Sequence, residues 1–212
     1  MRLLVATTNA HKLREIRTLL AGLSVELQSL RDYPAVAEPE ETGATFQENA
    51  RLKALYYDRE LTPAASDEGS PACTVAEDSG LVIDALDGEP GVYSARFLRQ
   101  DATYPERFAE IYRRLAVRPD RPRTARFVCA LAVVRRGITV YETTGTVEGM
   151  IAETASGTAG FGYDPIFYYP PYELTLADVT EEAKLRVAHR GVAFRGLAEW
   201  LTTAVQTKNG EQ

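Results

Sequence analysis

The chain has 212 residues and carries 24 Lys and Arg against 30 Asp and Glu, a net charge of −6, which offers no basic field to a nucleic-acid backbone. No apolar run approaches the roughly 20 residues needed to cross a bilayer, and the N-terminus MRLLVATTNAHK turns polar too early for a signal peptide. Cys73 and Cys129 lie far apart and fit no metal-ligand spacing, so the expectation is one globular domain of the reducing cytoplasm, with neither nucleic acid nor membrane as partner.

Arg2 to Thr7 is a β-branched and leucine run followed by a polar turn and a helical pattern with Leu13, Ile16, Leu19 and Leu20 on one face. Val25 to Leu30 alternates like a second strand, and the proline-rich YPAVAEPEETG after it reads as a loop. Thr45 opens a second helix with a capping box, because Glu48 stands three residues on. Residues 58–71, DRELTPAASDEGSP, mix Pro, Ser, Gly and acids without period and read as a surface insertion. AEDSGLVIDAL, Ala76 to Leu86, sets two acids, a serine and a glycine before an apolar strand. Asp87 and Gly88 mark a turn, EPGVYSARF a glycine-containing loop, and Tyr104 to Ala116 a helix. Arg126 to Val134 and Ile138 to Val147 flank Arg136 and Gly137 as a hairpin whose CALAVV segment reads as covered on both faces. The glycine-rich loop SGTAGFGYDP precedes a mostly helical tail, Glu181 to Val205, with Leu197, Trp200 and Leu201 inward and 206–212 as a flexible end. Strands, crossover helices and a hairpin together argue α/β with a mixed sheet.

Four stretches carry polar groups suited to chemistry. In TTNAHK, a strand ends in hydroxyl and amide side chains at a helix N-terminus, where free N–H groups, the helix dipole and Lys12 suit a phosphate. The same residues also fit an Asn9 cap with a solvated lysine. In EETGATFQENARLKA, Asn49 and Lys53 share a helical face and suit phosphate oxygens beside Glu40 and Glu41, or else form a salt-bridged outer face. Glu77 and Asp78 are adjacent on a strand and point to opposite sides, so one carboxylate is expected at a cleft; Asp78, beside Ser79 and Gly80, is placed there, exposed at the strand lip, while Asp-Ser-Gly equally fits a plain turn. In GFGYDP the glycines let backbone approach a flat ligand while Phe161 or Tyr163 stacks on it; Lys184 and AHRG complete the set, with Arg190 able to donate to a carbonyl edge, although His189 also fits a structural histidine and Phe161 a core residue.

In order, TTNxxK, ETGxTFxxNAxxKA, AEDSGL, PGVYSARF, GFGYDPIF and a Lys followed by HRGxA resemble the inosine triphosphatase (Ham1, RdgB-like) family of purine nucleoside triphosphate pyrophosphatases, from Leu4 to about Leu201. The resemblance implies a two-lobed α/β protein with a long central mixed sheet flanked by helices. It further implies a nucleotide cleft between the lobes, a homodimer, and hydrolysis of ITP, dITP and XTP to the monophosphate and pyrophosphate with Mg²⁺. Thr7, Thr8, Asn9 and Lys12 match its triphosphate loop, Glu41 and Asp78 its metal acids, and Asp78 also its proton acceptor. Lys53 matches a phosphate-contacting lysine, Ser79 a substrate contact, Phe161, Gly162, Tyr163 and Asp164 a base-binding loop, and Lys184, His189 and Arg190 the C-terminal nucleotide contacts. Discrimination against adenine would then rest on a donor such as Arg190 meeting the 6-keto oxygen.

Two positions depart from the pattern: Thr8 stands where many relatives have glycine, and Ala188 where serine is frequent. The competing expectations are a Maf-like pyrophosphatase of other bases, against which GFGYDP and HRG speak, and a sensor that binds without cleaving, against which the retained acids speak.

Overall fold

The computed structural model describes residues 1–61 and 72–209. A seven-stranded mixed sheet of order β2-β1-β3-β4-β5-β6-β7 organises it. The strands are β1 (Arg2–Val5), β2 (Glu26–Ser29), β3 (Cys73–Ile83), β4 (Thr124–Arg135), β5 (Ile138–Ile151), β6 (Phe167–Tyr169) and β7 (Leu174–Thr175). The helices are α1 (Ala10–Leu19), α2 (Phe46–Leu61), α3 (Tyr104–Ala116), α4 (Glu181–Val187) and α5 (His189–Asn209). β1 pairs in parallel with both β2 and β3, while β6 pairs antiparallel with β5 and β7. No described helix is long and apolar enough to cross a membrane.

The contacts divide the chain into two compact units. The first holds Met1–Asp78, Cys129–Gly145 and the chain from Arg190; the second holds Ser79–Val128 and Thr146–His189. In the first unit, strand alternation distributes the side chains between two cores. Leu3 and Val5, Cys73 and Val75, and Cys129, Leu131 and Val133 face α1 and α5 through Leu13, Ile16, Phe194, Leu197 and Leu201. Their neighbours Leu4, Ala6, Ala76, Ala130, Ala132 and Val134 face α2 through Ala50, Ala54, Tyr57 and Leu61. CALAVV is therefore covered on both sides, as its unbroken apolar run implies, and each large side chain removed from water there contributes about 1.5–3 kcal/mol. The second unit has one core, built from Leu81 and Ile83 of β3, Phe108, Ile111 and Leu115 of α3, Phe127 of β4 and Phe167 of β6.

Several boundaries differ from those the sequence suggests. The surface insertion does not begin at Asp58. α2 continues to Leu61, with Leu61 in the core and the Asp58 carboxylate accepting from the Gly137 N–H at 2.8 Å and the Thr74 hydroxyl at 3.4 Å. Residues 62–71 of that insertion lie outside the described residues. The C-terminal helix reaches Asn209, past the expected flexible end at 206; 210–212 lie outside the described residues. The tail is two helices: Ala188 takes extended dihedrals (φ −68°, ψ 154°) after α4, so His189 and Arg190 open α5. The Arg136-Gly137 hairpin joins longer strands than expected, and most of EPGVYSARF winds into a 3₁₀ turn over Gly91–Arg96.

Candidate active site

β3 sends its two adjacent acids to opposite sides of the sheet. Asp78 follows Thr74 and Ala76 toward α2, and Glu77 follows Cys73 and Val75 toward α1 and α5. The expectation of an exposed Asp78 fails, because both acids are buried, Glu77 at 4 % and Asp78 at 6 % exposure. A buried carboxylate needs partners, and each acid has its own set.

On the α2 side, the Asn49 amide donates to Asp78 Oδ2 at 3.0 Å, and Lys53 Nζ stands 3.5 Å from Asp78 Oδ1. The same ammonium lies 2.6 Å from Glu41 Oε1, so one cation sits between two carboxylates. The capping box forms as the sequence implies: Thr45 Oγ1 accepts from Glu48 N at 3.1 Å, and Glu48 Oε2 accepts from Ala44 N and Thr45 N. That cap fixes where α2 starts and hence the height of Asn49 and Lys53. Burial raises the Asp78 pKa from its ordinary value; the Lys53 charge lowers it, the Glu41 charge raises it and the Asn49 bond lowers it, leaving it raised. For Lys53, burial works against the charge, but Asp78 and Glu41 outweigh it and hold the ammonium protonated.

On the other side, Arg190 Nε donates to both Glu77 oxygens, at 3.0 and 3.2 Å, and its Nη1 reaches Glu15 Oε2 at 2.6 Å. Lys12 Nζ lies 3.3 Å from Glu77 Oε1, and the Cys129 thiol donates to Glu77 Oε2 at 2.7 Å. Burial would raise the Glu77 pKa, but Arg190 and Lys12 hold it far below the ordinary carboxylate range, while burial and Glu77 keep the Cys129 thiol protonated. Arg190, at 2 % exposure, is thus engaged by carboxylates through Nε and Nη1.

The loop between β1 and α1 confirms the Asn9 cap: Asn9 Oδ1 accepts from His11 N at 2.9 Å and Lys12 N at 3.2 Å, and Asn9 N donates to Thr7 Oγ1. Thr7 and Thr8 line a cavity of about 350 Å³ with Leu30, Arg31, Tyr33 and Tyr57.

In the second unit, Lys184 Nζ donates to Asp164 Oδ2 at 2.7 Å, both side chains being only 4 % exposed, and sits 4.8 Å from the centre of the Phe161 ring. Asp164 Oδ2 also accepts from Phe161 N at 2.9 Å, so Asp164 folds the 161–164 loop onto α4. Gly160 is required there, because at φ +74° a Cβ would come within 2.1 Å of Asp164 Oδ2. The Tyr163 hydroxyl donates to Ser94 O at 2.9 Å. His189 stacks on Phe127, ring centres 4.9 Å apart, and Ser79 is half-buried on β3.

The structure therefore joins Glu41, Lys53 and Asp78 directly, Lys12 to Arg190 through Glu77, and Asp164 to Lys184. Glu15, and Glu77 as the hub of its cluster, escaped the sequence reading. The strand alternation gave a signal for Glu77, whereas Glu15 has none, since its partner Arg190 lies 175 residues away.

The sequence pattern of the Ham1 family matches residues 3–200. A dITP/XTP pyrophosphatase of Exiguobacterium sibiricum is 43% identical over 203 residues, 96% of this chain and 98% of that protein. A protein of the same description from Geobacter sulfurreducens is 44% identical over 200 residues, 94% and 96% of the two chains. Among solved structures, a HAM1 protein from Coxiella burnetii superposes with a TM-score of 0.83 at 35% identity, covering 96% of this chain and 99% of that one. The Staphylococcus aureus Ham1 protein gives 0.83 at 31%, covering 96% and 100%.

Proposed function

The chain belongs to the Ham1 family, and from that premise we propose that it is a pyrophosphatase acting on deaminated purine nucleoside triphosphates, dITP and XTP as its relatives' names say, and ITP with them. The finer reading gives the monophosphate and pyrophosphate as products, Mg²⁺ as the cation, a homodimer as the working form and the cytoplasm as its place.

The observation that carries this reading is the charge balance around β3. Lys12, Lys53 and Arg190 face Glu15, Glu41, Glu77 and Asp78, three cations against four carboxylates, a net charge of −1. A triphosphate brings about four more negative charges, so these side chains alone repel it and a divalent cation is needed. The donors fit Mg²⁺, which is held through one or two carboxylates together with substrate phosphates and water. Glu41 and Asp78 already hold a positive group, the Lys53 ammonium, between them. The described residues contain no cluster of three or more ligating His, Cys, Asp or Glu side chains, and this mode of binding requires none. Bound there, Mg²⁺ would neutralise developing charge on the phosphates.

The chain's own residues then divide the work. Lys53 contacts a phosphate while keeping its carboxylates apart. Asp78, its proton affinity raised by burial, takes the proton from the attacking water. Thr7, Thr8 and the capped start of α1 receive the outer phosphates, and Lys12, anchored by Glu77 and Arg190, supplies charge beside them. Phe161 stacks on the base with Lys184 and Asp164 bracing its loop, and Ser79 and His189 contact the nucleotide. Arg190 is read as the anchor of Glu77.

Pyrophosphate release from ITP, XTP, ATP, GTP, UTP and dTTP, each with Mg²⁺ and again with a chelator, tests the proposal. Metal-dependent release confined to ITP and XTP is expected. Preference for a pyrimidine, or binding without release, would overturn it.

A further inference from the structure

Asn49 is completely buried in α2 and spans two segments. Its Nδ2 donates to Asp78 Oδ2 at 3.0 Å and its Oδ1 accepts from Gly43 N at 2.8 Å. A backbone N–H only donates and an ionised carboxylate only accepts, so the amide's orientation follows from its partners. Gly43 lies two residues from Glu41, and the approach leaves no room for a side chain: a Cβ on Gly43 would stand 2.7 Å from Asn49 Oδ1 and 2.7 Å from Glu48 Cβ. One side chain therefore ties the middle of β3, which presents Asp78, to the loop that presents Glu41. Lys53 touches the same two carboxylates, but as a point charge on a flexible stem it attracts them without setting their directions.

The geometry points to Asn49 as a positioning residue that holds Asp78 and Glu41 as a pair ready to share one divalent cation. Its amide aims groups that would themselves meet the cation and does not reach a phosphate, the use its place on the Lys53 face suggests. The inference rests on the Mg²⁺-dependent reading of this site.

The test uses Mn²⁺ alone, titrated into nucleotide-free protein and followed by water-proton relaxation, on wild type, Asn49→Ala and Gly43→Ala. kcat and KM for ITP are measured in parallel. Gly43→Ala disturbs the latch from the loop side and removes no buried side chain, so it serves where Asn49→Ala fails to fold. Removing a group that orients metal ligands weakens metal binding by about 10- to 100-fold; a rise of that size in the Mn²⁺ dissociation constant is expected, with a parallel loss in kcat and little change in KM. Mn²⁺ affinity equal to wild type in the folded variants, a loss confined to KM, or a wild type that binds no Mn²⁺ would overturn the inference. If wild type binds Mn²⁺ but releases no pyrophosphate from ITP, the proposed function fails while the Mn²⁺ comparison still decides the role of Asn49.

Discussion

Asp78 is buried and is also the proposed proton acceptor, and the two make opposite demands on its charge. Its pKa is raised above the ordinary carboxylate value by burial and by Glu41, against Lys53 and Asn49, so the folded protein favours the neutral acid. The stability this contributes is present in full below the unfolded pKa near 3.8 and is lost as pH rises through the higher folded value. At neutral pH the ionised group therefore costs stability, a cost that the proposed proton-accepting role would explain. Asp78→Asn should nearly abolish turnover while raising the melting temperature of the metal-free protein at neutral pH. That advantage should close as the pH is lowered through Asp78's raised pKa. Wild-type turnover would sink the catalytic role, and a lower melting temperature at neutral pH would show that the Lys53 contact outweighs burial. The pairing of Asp78 with an amide was only half legible in the sequence. The four-residue spacing put Asn49 and Lys53 on one face, but nothing local showed that the Asn49 amide would donate to Asp78, 29 residues on.

α2 shows which features of an element local sequence determines. Its start is written in the chain, because Thr45 and Glu48 meet their own neighbours' N–H groups and need no tertiary partner. Its end depends on packing: Asp58 and Leu61 are helical because a hairpin N–H and an apolar core take them, and composition alone reads them as insertion. The break at Ala188 was hidden because alanine favours helix; it stands just before the helix whose second residue, Arg190, meets Glu77 and Glu15. Because the α2 cap is local, Thr45→Ala should lower stability by about 1 kcal/mol, a shift of about 2–4 °C in melting temperature for a chain of this size. Thermal unfolding measures it. An unchanged melting temperature would mean that Glu48 alone closes the helix start.

Across the whole molecule, the fold class was legible because both periodicities were present, an unbroken apolar run for the doubly covered β4 and a 3.6-residue stripe for α1 and α3. The charge cluster around β3 was not, because it is assembled from α1, the loop before α2, α2 itself, β3 and α5, which only the sheet order brings together. That cluster is net negative on a chain whose overall charge is −6, so the long-range field opposes an approaching nucleotide and attraction begins only at contact. A nucleic-acid binder loses affinity as salt is added; here salt should help. At fixed free Mg²⁺, kcat/KM for ITP should rise as ionic strength goes from about 0.01 M, where charges are felt over roughly 30 Å, to about 0.15 M, where that distance falls to roughly 8 Å. The gain should vanish in variants whose surface acids far from β3 are neutralised, because these supply the repulsion without touching the substrate. A steep fall over the same range would show instead that Lys12 and Lys53 project a positive field well beyond their carboxylates, and the charge balance behind the proposed cation would have to be redrawn.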